Sequence, residues 1–392
     1  MAVDALVIGA GPAGAAAARL LAQAGWSVML VEKTIFPRPK VCGEFISTAT
    51  MPVLEACDVA DAFNAAAGPP VTRVAAYAKD VMIEAPLPRG PGMELGRALG
   101  REHLDALLCK AAVAAGAQLG QPAEIVAVRR IGNGHVATFK HADRVEEIAA
   151  KIVIVAGGSW SAKGPFAITR TPQPSDLFAF KAHFRGSALP AGLMPLIAFP
   201  GGYGGMVHSD AGRISFSCCI RRDRLKQARQ TYGGKAAESV FQHITANTLG
   251  VRLALRDAVP EGVFLSTGPL HPGIRSRHAD GMFFTGNIAG EAHPIIAEGI
   301  SMAIQSSWLL TQFLIAARPT TGADYAQAWI KHFAPRIRAA ALFAHCATHG
   351  PTRVAATQLI RAFPGILTWG ASLSGKAAAV KSAQRSKAQA AR

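Results

Sequence analysis

The sequence predicts an α/β fold: a discontinuous domain built on a parallel sheet, an inserted antiparallel β-sheet domain, and C-terminal helices. Uninterrupted apolar runs, typical of parallel strands that are buried on both faces, occur at residues 5–8, 152–155 and 282–285. Roughly over residues 70–90 and 175–270, apolar and polar residues alternate, as in antiparallel strands with one face in water. Because the parallel-type segments are separated along the chain, we predict that a second domain is inserted between them.

Composition excludes several protein classes. The chain has 392 residues, of which 50% are hydrophobic and 17% are charged, so it is too apolar to be disordered and long enough for two domains. Its six cysteines include no Cys-x-x-Cys pair, and no other metal-ligand spacing occurs, so neither a disulfide framework nor a metal site is predicted. The N-terminal apolar stretch lacks a basic segment and carries Asp4, which argues against a signal peptide. No uncharged apolar run is long enough to span a membrane, and a reducing, cytoplasmic setting is expected.

The N-terminal 32 residues have the order of a βαβ unit. The apolar run 5–8 predicts a buried strand that ends at Gly9. The Ala-rich segment 12–24 predicts a helix that ends at Gly25, and residues 27–31 predict a second strand.

The remaining elements follow from the same signals. We predict helices at 104–115 and 299–316, a hairpin of strands 125–128 and 136–139, a strand at 152–155, and antiparallel strands at 176–184 and 212–220. From Gly322 onward the chain is predicted to be helical, with breaks at Pro335, Pro351 and Pro364.

The motif Gly9-Ala10-Gly11-Pro12-Ala13-Gly14 lies between the first strand and the first helix. In such a motif Gly9 permits a tight turn, Gly11 lets the backbone approach a pyrophosphate, and Gly14 lets the helix pack on the strand. The helix N-terminus at Pro12 and Ala13 then faces the phosphates with its partial positive charge.

Glu32 ends the second predicted strand, 18 residues after Gly14. An acid at this position can hold the two ribose hydroxyls of an adenosine, and it disfavours a 2′-phosphate. The strand, the glycine motif, the helix and the acid together predict a Rossmann-type site for FAD or NAD rather than NADP.

A second glycine-rich stretch, Gly286-Asn287-Ile288-Ala289-Gly290, follows the predicted strand 282–285 and precedes Pro294 and Glu298-Gly299-Ile300. With the first motif, it resembles FAD-dependent oxidoreductases of the glutathione-reductase-like superfamily. The similar branch holds aromatic hydroxylases, geranylgeranyl reductases and flavin-dependent halogenases. The resemblance covers roughly residues 3–310.

This resemblance implies that Gly286 and Asn287 contact the ribityl chain of FAD. It also implies that the helix starting at Gly299 and Ile300 points its N-terminus at the pyrimidine end of the flavin, where it would stabilise negative charge. The family has Asp at the position of Asn287, and Asn retains a hydrogen bond without the charge. We therefore expect Asn287→Asp to tighten FAD binding unless a nearby acid such as Glu291 already fills that role.

The loop Phe36-Pro37-Arg38-Pro39-Lys40-Val41-Cys42-Gly43-Glu44 follows Glu32 and Lys33. It resembles a loop that lies beside the flavin in geranylgeranyl reductases and in hydroxylase-like relatives. The resemblance implies that Lys33, Arg38, Cys42 and Gly43 bind the cofactor, and Gly43 would let the backbone approach the flavin ring. Cys42 is a candidate catalytic residue, and the alternative is a small buried side chain.

Two further residues are candidates. Arg101 heads a helix in a pattern similar to the family's Arg-x-x-Leu/Phe-Asp step, which implies a contact with FAD; the alternative is a solvated helix end. His293 could protonate a substrate or a flavin adduct, and its alternative is a structural hydrogen bond. Gly157-Gly158 stand where hydroxylases have an acidic step, and this departure weakens a strict hydroxylase assignment.

The fold is thus predicted to hold a discontinuous FAD-binding Rossmann-type domain, an inserted antiparallel β-sheet substrate domain, and a C-terminal helical cap with a basic tail. Their predicted bounds are 1–65, 96–164 and 275–318 for the first, 66–95 and 165–274 for the second, and 319–392 for the third.

The predicted function is an FAD-dependent oxidoreductase. We favour a monooxygenase that hydroxylates a small apolar or aromatic substrate, such as a lipid-tailed one, because the loop from Arg38 to Glu44 is most similar to hydroxylase-like relatives. NAD(P)H is expected to bind transiently as reductant, since no second dinucleotide motif is visible. One alternative is a geranylgeranyl-reductase-like enzyme that reduces C=C bonds. Another is a non-catalytic, membrane-associated flavin-binding protein.

The segment from Tyr325 to Arg392 contains ten Lys and Arg and no Asp or Glu, and so carries +10 of the formal net charge of +16. The segment is also apolar, and it includes Trp369. No nucleic-acid-binding module is recognisable, so nucleic acid is not expected as a partner. We predict peripheral association with anionic membranes through residues 336–373.

Overall fold

The computed structural model describes residues 2–89, 95–141, 144–159, 165–167, 170–317 and 320–375. The predicted basic tail lies outside the described residues from Lys376 onward. The strands are β1 (Ala2–Ile8), β2 (Val28–Val31), β3 (Phe45–Ile46), β4 (Arg73–Ala78), β5 (Val81–Pro86), β6 (Arg97–Ala98), β7 (Gln118–Gly120), β8 (Glu124–Ile131), β9 (Gly134–His141), β10 (Arg144–Val155), β11 (Leu177–Arg185), β12 (Leu193–Phe199), β13 (Gly202–His208), β14 (Ile214–Arg221), β15 (Val259–Leu270), β16 (Gly273–Ile274), β17 (His278–Ala279), β18 (Met282–Phe284) and β19 (Gly290–Glu291). The α-helices are α1 (Pro12–Gln23), α2 (Met51–Ala56), α3 (Ala60–Ala66), α4 (Arg101–Ala114), α5 (Arg222–Tyr232), α6 (Ala236–Asn247), α7 (Leu249–Ala254), α8 (Gly299–Ala316), α9 (Thr321–Thr348), α10 (Gly350–Ala362) and α11 (Gly365–Leu373).

The first sheet contains the predicted βαβ unit. Its strand order is β17-β18-β10-β1-β2-β7, with β9 and β8 attached along the first half of β10. The strands β18, β10, β1, β2 and β7 are parallel to one another. Helices α1, α4 and α8 share a core with one face of this sheet, and the strands β8 and β9 share a core with the other. The α/β fold with separated parallel segments is therefore confirmed.

The second sheet has the order β15-β11-β14-β13-β12-β4-β5. It differs from the prediction at one pair: β12 and β4 run parallel, while the other pairs are antiparallel. The chain reaches β12 from β4 by a long connection through the first sheet, so a hairpin does not impose an antiparallel arrangement there. One face packs on α6 and α7, and the other face turns toward the first sheet.

The C-terminal helices begin with a long helix, α9, whose buried residues Tyr325, Trp329, Phe333 and Ile337 belong to the core of the first sheet. The predicted break at Pro335 is wrong, because α9 continues through that residue. Apolar residues on both sides of Pro335 enter the same core, and this packing outweighs the roughly 3 kcal/mol cost of an interior proline. Pro351 lies in the first turn of α10, and Pro364 immediately precedes α11, as predicted.

Contrary to the expectation from the sequence, one helix among the described residues, α8, has the length and apolar composition of a membrane-spanning segment. Of its residues, 72% are buried inside the protein. Its polar residues are also satisfied internally: Ser306 and Ser307 hydrogen bond to Thr285, and Gln305 hydrogen bonds to Thr50. A core helix of a globular domain accounts for these features.

Candidate active-site cleft

The glycine-rich turn after β1 is shaped by steric limits at two glycines. Gly9 has a φ of +99°, and a Cβ there would lie 2.7 Å from the carbonyl oxygen of Ala156. A Cβ on Gly14 would lie 1.8 Å from the carbonyl oxygen of Gly9. At Gly11 a Cβ would meet only an Arg101 nitrogen at 3.8 Å. The space in front of the N-terminus of α1 is therefore open, and its free backbone N–H groups can bind an anion.

Glu32 lies at the edge of this turn and is buried. Its Oε2 accepts a hydrogen bond from the backbone N–H of Ala10 at 2.9 Å, and its Oε1 accepts one from the N–H of Thr34 at 3.0 Å. These bonds fix the carboxylate beside the glycine motif, where it lines the cleft.

Three cationic side chains surround the same space. Arg101 is buried and donates two hydrogen bonds to Asp105, from Nε at 2.7 Å and from Nη2 at 2.8 Å. The Arg38 guanidinium lies 3.5 Å from Glu32 Oε2, and its Nε is buried without a hydrogen-bond partner in the described part of the chain. Burial, together with the charges of Arg101 and Arg38, lowers the pKa of Lys40 to about 8. This cluster is suited to an anionic ligand.

A second helix N-terminus reaches the cleft at α8. A Cβ on Gly299 would meet nothing within 4 Å, so the space before this helix is also open. Asn287 lines the cleft, and its Nδ2 donates to Ser159 Oγ at 2.8 Å and lies 3.5 Å from Glu291 Oε1. Burial raises the pKa of Glu291, against the opposing effects of Ser159 and Arg275.

The loop containing Cys42 and Gly43 runs from β2 to β3 and contacts the second sheet. Cys42 Sγ accepts a long hydrogen bond from the Glu44 N–H at 3.4 Å, and a Cβ on Gly43 would lie 3.3 Å from Ser217 Oγ on β14. Glu44 has a φ of +64°, a backbone conformation that is rare outside glycine. Cys42 and Gly43, which precede Glu44, both line the cleft. The contacts of Glu44 therefore fix the position of this loop at the edge of the cleft.

The Glu44 carboxylate is completely buried and is held by the second sheet. It is paired with Lys181 and accepts hydrogen bonds from His183 Nε2 at 2.9 Å and from Ser209 Oγ at 3.1 Å. Burial alone would raise the pKa of Glu44, but His183 and Lys181 more than offset it and hold the pKa well below its usual range. The carboxylate is therefore ionised in the folded protein.

These elements enclose a cleft with a cavity volume of about 420 Å³. We call its side formed by the first sheet and its helices the nucleotide wall; it includes Gly9, Gly11, Glu32 and Arg101. We call the side formed by the second sheet the sheet wall. The sheet wall is mostly apolar, and its lining residues are Ala179, Met194, Leu196, Tyr203, Gly204, Gly205, Met206, Val207, Ser217, Cys218, Cys219, Thr267, Pro269 and Leu270. Burial raises the pKa of the Cys219 thiol to about 12, so this thiol is neutral.

Comparison with known protein families gives a match over residues 2–254 to the family described as "FAD binding domain". The chain belongs to this family.

Relatives within the curated proteins include two kinds of reductase. A menaquinone reductase of Mycobacterium tuberculosis is 31% identical over 161 residues, which are 41% of this chain and 39% of that protein. The matched stretch thus spans well under half of that relative's length. A digeranylgeranylglycerophospholipid reductase 2 of Methanopyrus kandleri is 26% identical over 351 residues, which cover 86% of this chain and 82% of that protein.

Two solved structures show the same fold. A flavin-dependent brominase superposes with a TM-score of 0.77 at 18% identity, over 96% of this chain and 94% of that chain. A geranylgeranyl bacteriochlorophyll reductase-like protein from Thermoplasma acidophilum gives a TM-score of 0.70 at 20% identity, over 86% of this chain and 85% of that chain. The family assignment makes the protein an FAD-dependent oxidoreductase.

The residues of the cleft fit FAD. The open space before α1 and the cations Arg38 and Arg101 suit a pyrophosphate. The orphaned Nε of Arg38 is a buried donor that a ligand oxygen would satisfy. The open N-terminus of α8 at Gly299 would lie toward the other end of the cofactor and would favour negative charge on the flavin.

Most of the predicted site residues line this cleft, namely Gly9, Gly11, Pro12, Ala13, Glu32, Lys33, Arg38, Cys42, Gly43, Arg101, Asn287, Gly299 and Ile300. Two glycines lie behind the nucleotide wall instead. Gly14 packs against Gly9, and a Cβ on Gly286 would lie 2.8 Å from the Ala13 Cβ. Their contribution is close packing, and for Gly286 this differs from the predicted contact with the ribityl chain.

His293 is the second predicted catalytic residue. It is not among the described residues that line the cleft. Its Nδ1 lies 3.3 Å from the Tyr203 hydroxyl, and burial lowers its pKa to about 4. A histidine that is neutral near pH 7 carries a single ring N–H and has no additional proton to give to a substrate. The geometry thus favours the structural alternative for His293.

Several cleft residues were not predicted as site residues: Lys40, Glu44, Ser159, Tyr203 and Glu291. Lys40 and Glu44 lie in the loop that the sequence already singled out, but nothing in the sequence indicates that Glu44 pairs with Lys181, 137 residues away. Tyr203 lies in the Gly-rich stretch 201–205. Such a stretch is typical of a hairpin turn, so the sequence did not indicate Tyr203 as a site residue.

Proposed function

We propose that this oxidoreductase reduces C=C double bonds in an apolar, isoprenoid-like chain. The observation that carries the proposal is the chemistry of the sheet wall, where Met194, Leu196, Met206 and Val207 offer a hydrocarbon surface opposite the nucleotide wall. Burial of a hydrocarbon chain against such a surface is favourable, and it excludes water from the reacting atoms. The names of the two reductase relatives point to the same substrate class. One is named for a digeranylgeranyl lipid and the other for menaquinone.

Reduction of a C=C bond adds a hydride to one carbon and a proton to the other. Reduced FAD, when bound, would supply the hydride, and the chain must then supply or relay the proton. Cys42 and the Tyr203 hydroxyl line the cleft and are candidates to relay this proton. Burial holds the pKa of Tyr203 well above 10, so its proton is retained near neutral pH. The role of the sheet wall is to place the hydrocarbon chain within reach of these groups.

Hydroxylation is the second candidate, and the loop from Arg38 to Glu44 favours it because that loop is most similar to hydroxylase-like relatives. The two reactions differ in their need for oxygen. Hydroxylation consumes O₂ and adds an oxygen atom to the substrate, whereas reduction proceeds without O₂ and adds two hydrogens.

The experiment uses the purified holoenzyme with a polyprenyl-tailed glycerolipid and a polyprenyl-tailed quinone in detergent. Dithionite serves as the reductant under anaerobic conditions, and NAD(P)H serves as the reductant in air. Mass spectrometry follows the products. A mass gain of two hydrogens per double bond without oxygen supports the proposal; for the quinone the gain is read after air reoxidation of the ring, because dithionite alone converts the ring to the quinol. A gain of one oxygen atom, seen only in air, would replace reduction by hydroxylation as the function.

A further inference from the structure

The geometry points to a membrane-docking surface on the C-terminal helices, and we propose that anionic phospholipid is its partner. We call it the C-terminal surface and define it by the exposed residues Arg338, Leu342, Leu359, Arg361, Phe363, Trp369 and Leu373. The argument rests on the apolar groups it exposes, its charge, and its connection to the cleft wall. It does not depend on which reaction the cleft performs.

The apolar part of this surface is aromatic and has helical spacing. Phe363 is 63% exposed and Trp369 is 61% exposed, although large aromatic side chains normally bury most of their area. Trp369 and Leu373 lie four residues apart in α11 and so share one side of that helix, and Phe363 is the residue immediately after α10. No residue of α10 is buried. The outer side of this helix therefore leaves apolar side chains available for another partner.

The charge of this region has one sign. The described part of the segment from Tyr325 contains no acid, and Arg338 and Arg361 are exposed. Two arginines of the predicted membrane-binding segment 336–373 have partners inside the protein. Arg336 is buried and donates to Gln305 Oε1 at 2.9 Å, and the half-buried Arg353 donates to the Phe199 carbonyl oxygen at 3.3 Å.

The nearest strand is β5, which α11 contacts through a 2.7 Å hydrogen bond from Thr368 Oγ1 to the Pro86 carbonyl oxygen. The acid on this strand, Glu84, is paired with Arg73. Because Glu84 is paired with Arg73, β5 places no unpaired carboxylate beside the C-terminal surface that would repel an anionic bilayer. Interfacial aromatic side chains combined with arginines are the combination that binds anionic lipid headgroups.

The surface is also one layer away from the cleft. The buried side of α11, at Leu367 and Ala371, packs into a cluster with Phe45, Met194 and Val207. These three residues line the cleft. A bilayer held at α10 and α11 would thus lie directly behind residues that line the cleft, whatever reaction the cleft performs.

The test is co-sedimentation of the full-length protein with vesicles of phosphatidylcholine alone or with about 30% phosphatidylglycerol, at low and high salt. Cutting the chain before Pro335 is not a suitable test, because it removes the core residues Ile337 and Ala340. Substitutions at exposed positions are used instead: Phe363→Ser with Trp369→Ser for the apolar part, and Arg338→Gln with Arg361→Gln for the charge.

Each double variant has a matched control elsewhere on the surface. Val145→Ser with Val263→Ser removes two side chains that are 66% and 78% exposed on β10 and β15. Lys226→Gln with Arg229→Gln removes two exposed charges from α5. We expect binding only to the anionic vesicles, weakening with salt, and falling at least about tenfold in both C-terminal variants but not in the controls.

Equal recovery with anionic and neutral vesicles would overturn the proposal. Equal loss in the α5 control would also overturn it, since net charge alone would then explain the binding. If the protein ignores vesicles but binds soluble polyglutamate through Arg338 and Arg361, the surface is instead a site for an acidic polypeptide. None of these outcomes depends on turnover, so they are independent of the test of the proposed reaction.

Discussion

The two walls of the cleft are built in different ways. The nucleotide wall is made of backbone geometry: a glycine with a φ of +99°, a glycine pair in close contact, and two open helix N-termini. The sheet wall and the adjoining Cys42 loop are made of side-chain contacts over long distances, with Glu44 held by Lys181, His183 and Ser209. The first wall depends on the absence of side chains and the second on their pairing. They are therefore expected to fail in different ways when altered.

The largest effect is expected at the buried pair of Glu44 and Lys181. Either Glu44→Gln or Lys181→Met leaves a partner buried without its opposite charge, which typically costs about 3–5 kcal/mol of unfolding free energy. The double variant should lose less than the sum of the two, because it removes both charges. Urea unfolding measures these values.

The control for this pair is Glu147→Gln. Glu147 forms a surface pair with Arg129, in which the two side chains are 54% and 60% exposed, so its loss should cost less than about 1 kcal/mol. If Lys181→Met costs no more than this control, the contacts of Glu44 do not hold the loop.

The nucleotide wall should lose its ligand rather than its fold. Gly11 has a φ of −68°, which valine adopts, and a Cβ there enters the open cleft. We expect Gly11→Val to unfold normally but to bind FAD about 100-fold more weakly, or roughly 3 kcal/mol. Flavin absorbance after gel filtration and urea unfolding of the apoprotein measure the two properties.

Gly350→Val is the matched control for this substitution. It places the same side chain at the start of α10, where a Cβ meets nothing within 4 Å. Stoichiometric flavin in the purified Gly11→Val protein would contradict the assignment of the nucleotide wall.

Lys40 gives the nucleotide wall a pH dependence. Its pKa is lowered from 10.5 to about 8, so the folded apoprotein releases this proton before the unfolded chain does. Stability of the apoprotein should therefore rise with pH between about 8 and 10.5, while affinity for the anionic FAD falls as Lys40 loses its charge. A tenfold loss of affinity, about 1.4 kcal/mol, is expected across this window.

Fluorescence titration of FAD and urea unfolding at several pH values measure both trends. Lys40→Met should abolish both of them. A flat affinity profile in the unaltered protein would show that the Lys40 charge does not act on the cofactor.

The smallest effect is expected at Asn287. Asn287→Asp would place a second carboxylate beside Glu291, whose pKa burial already raises, so the expected gain of about 1 kcal/mol in FAD binding is cancelled by repulsion. The double variant with Glu291→Gln should show that gain. Isothermal titration with FAD separates the two, and tighter binding by the single variant would show that Glu291 does not act on residue 287.

The sequence by itself determined the nucleotide wall. A strand, a glycine-rich turn, a helix and an acid at the end of the next strand are local features, and their backbone constraints act within about thirty residues. For the same reason the hairpin of β8 and β9 and the helix α8 could be predicted from turn residues and periodicity. Eleven predicted cofactor contacts other than Cys42 and Gly43 line the cleft.

Tertiary structure decided the rest. Glu44 meets Lys181, and Asn287 meets Ser159, across 137 and 128 residues of chain, and no local pattern encodes such pairs. The core carries α9 through Pro335, and it neutralises His293 by burying it beside Tyr203. Arg336 is buried and Arg338 is exposed, although both belong to the same basic, acid-free stretch of sequence and lie only two positions apart. Charge, pKa and exposure depend on what packs against a residue, and only the folded chain supplies those neighbours.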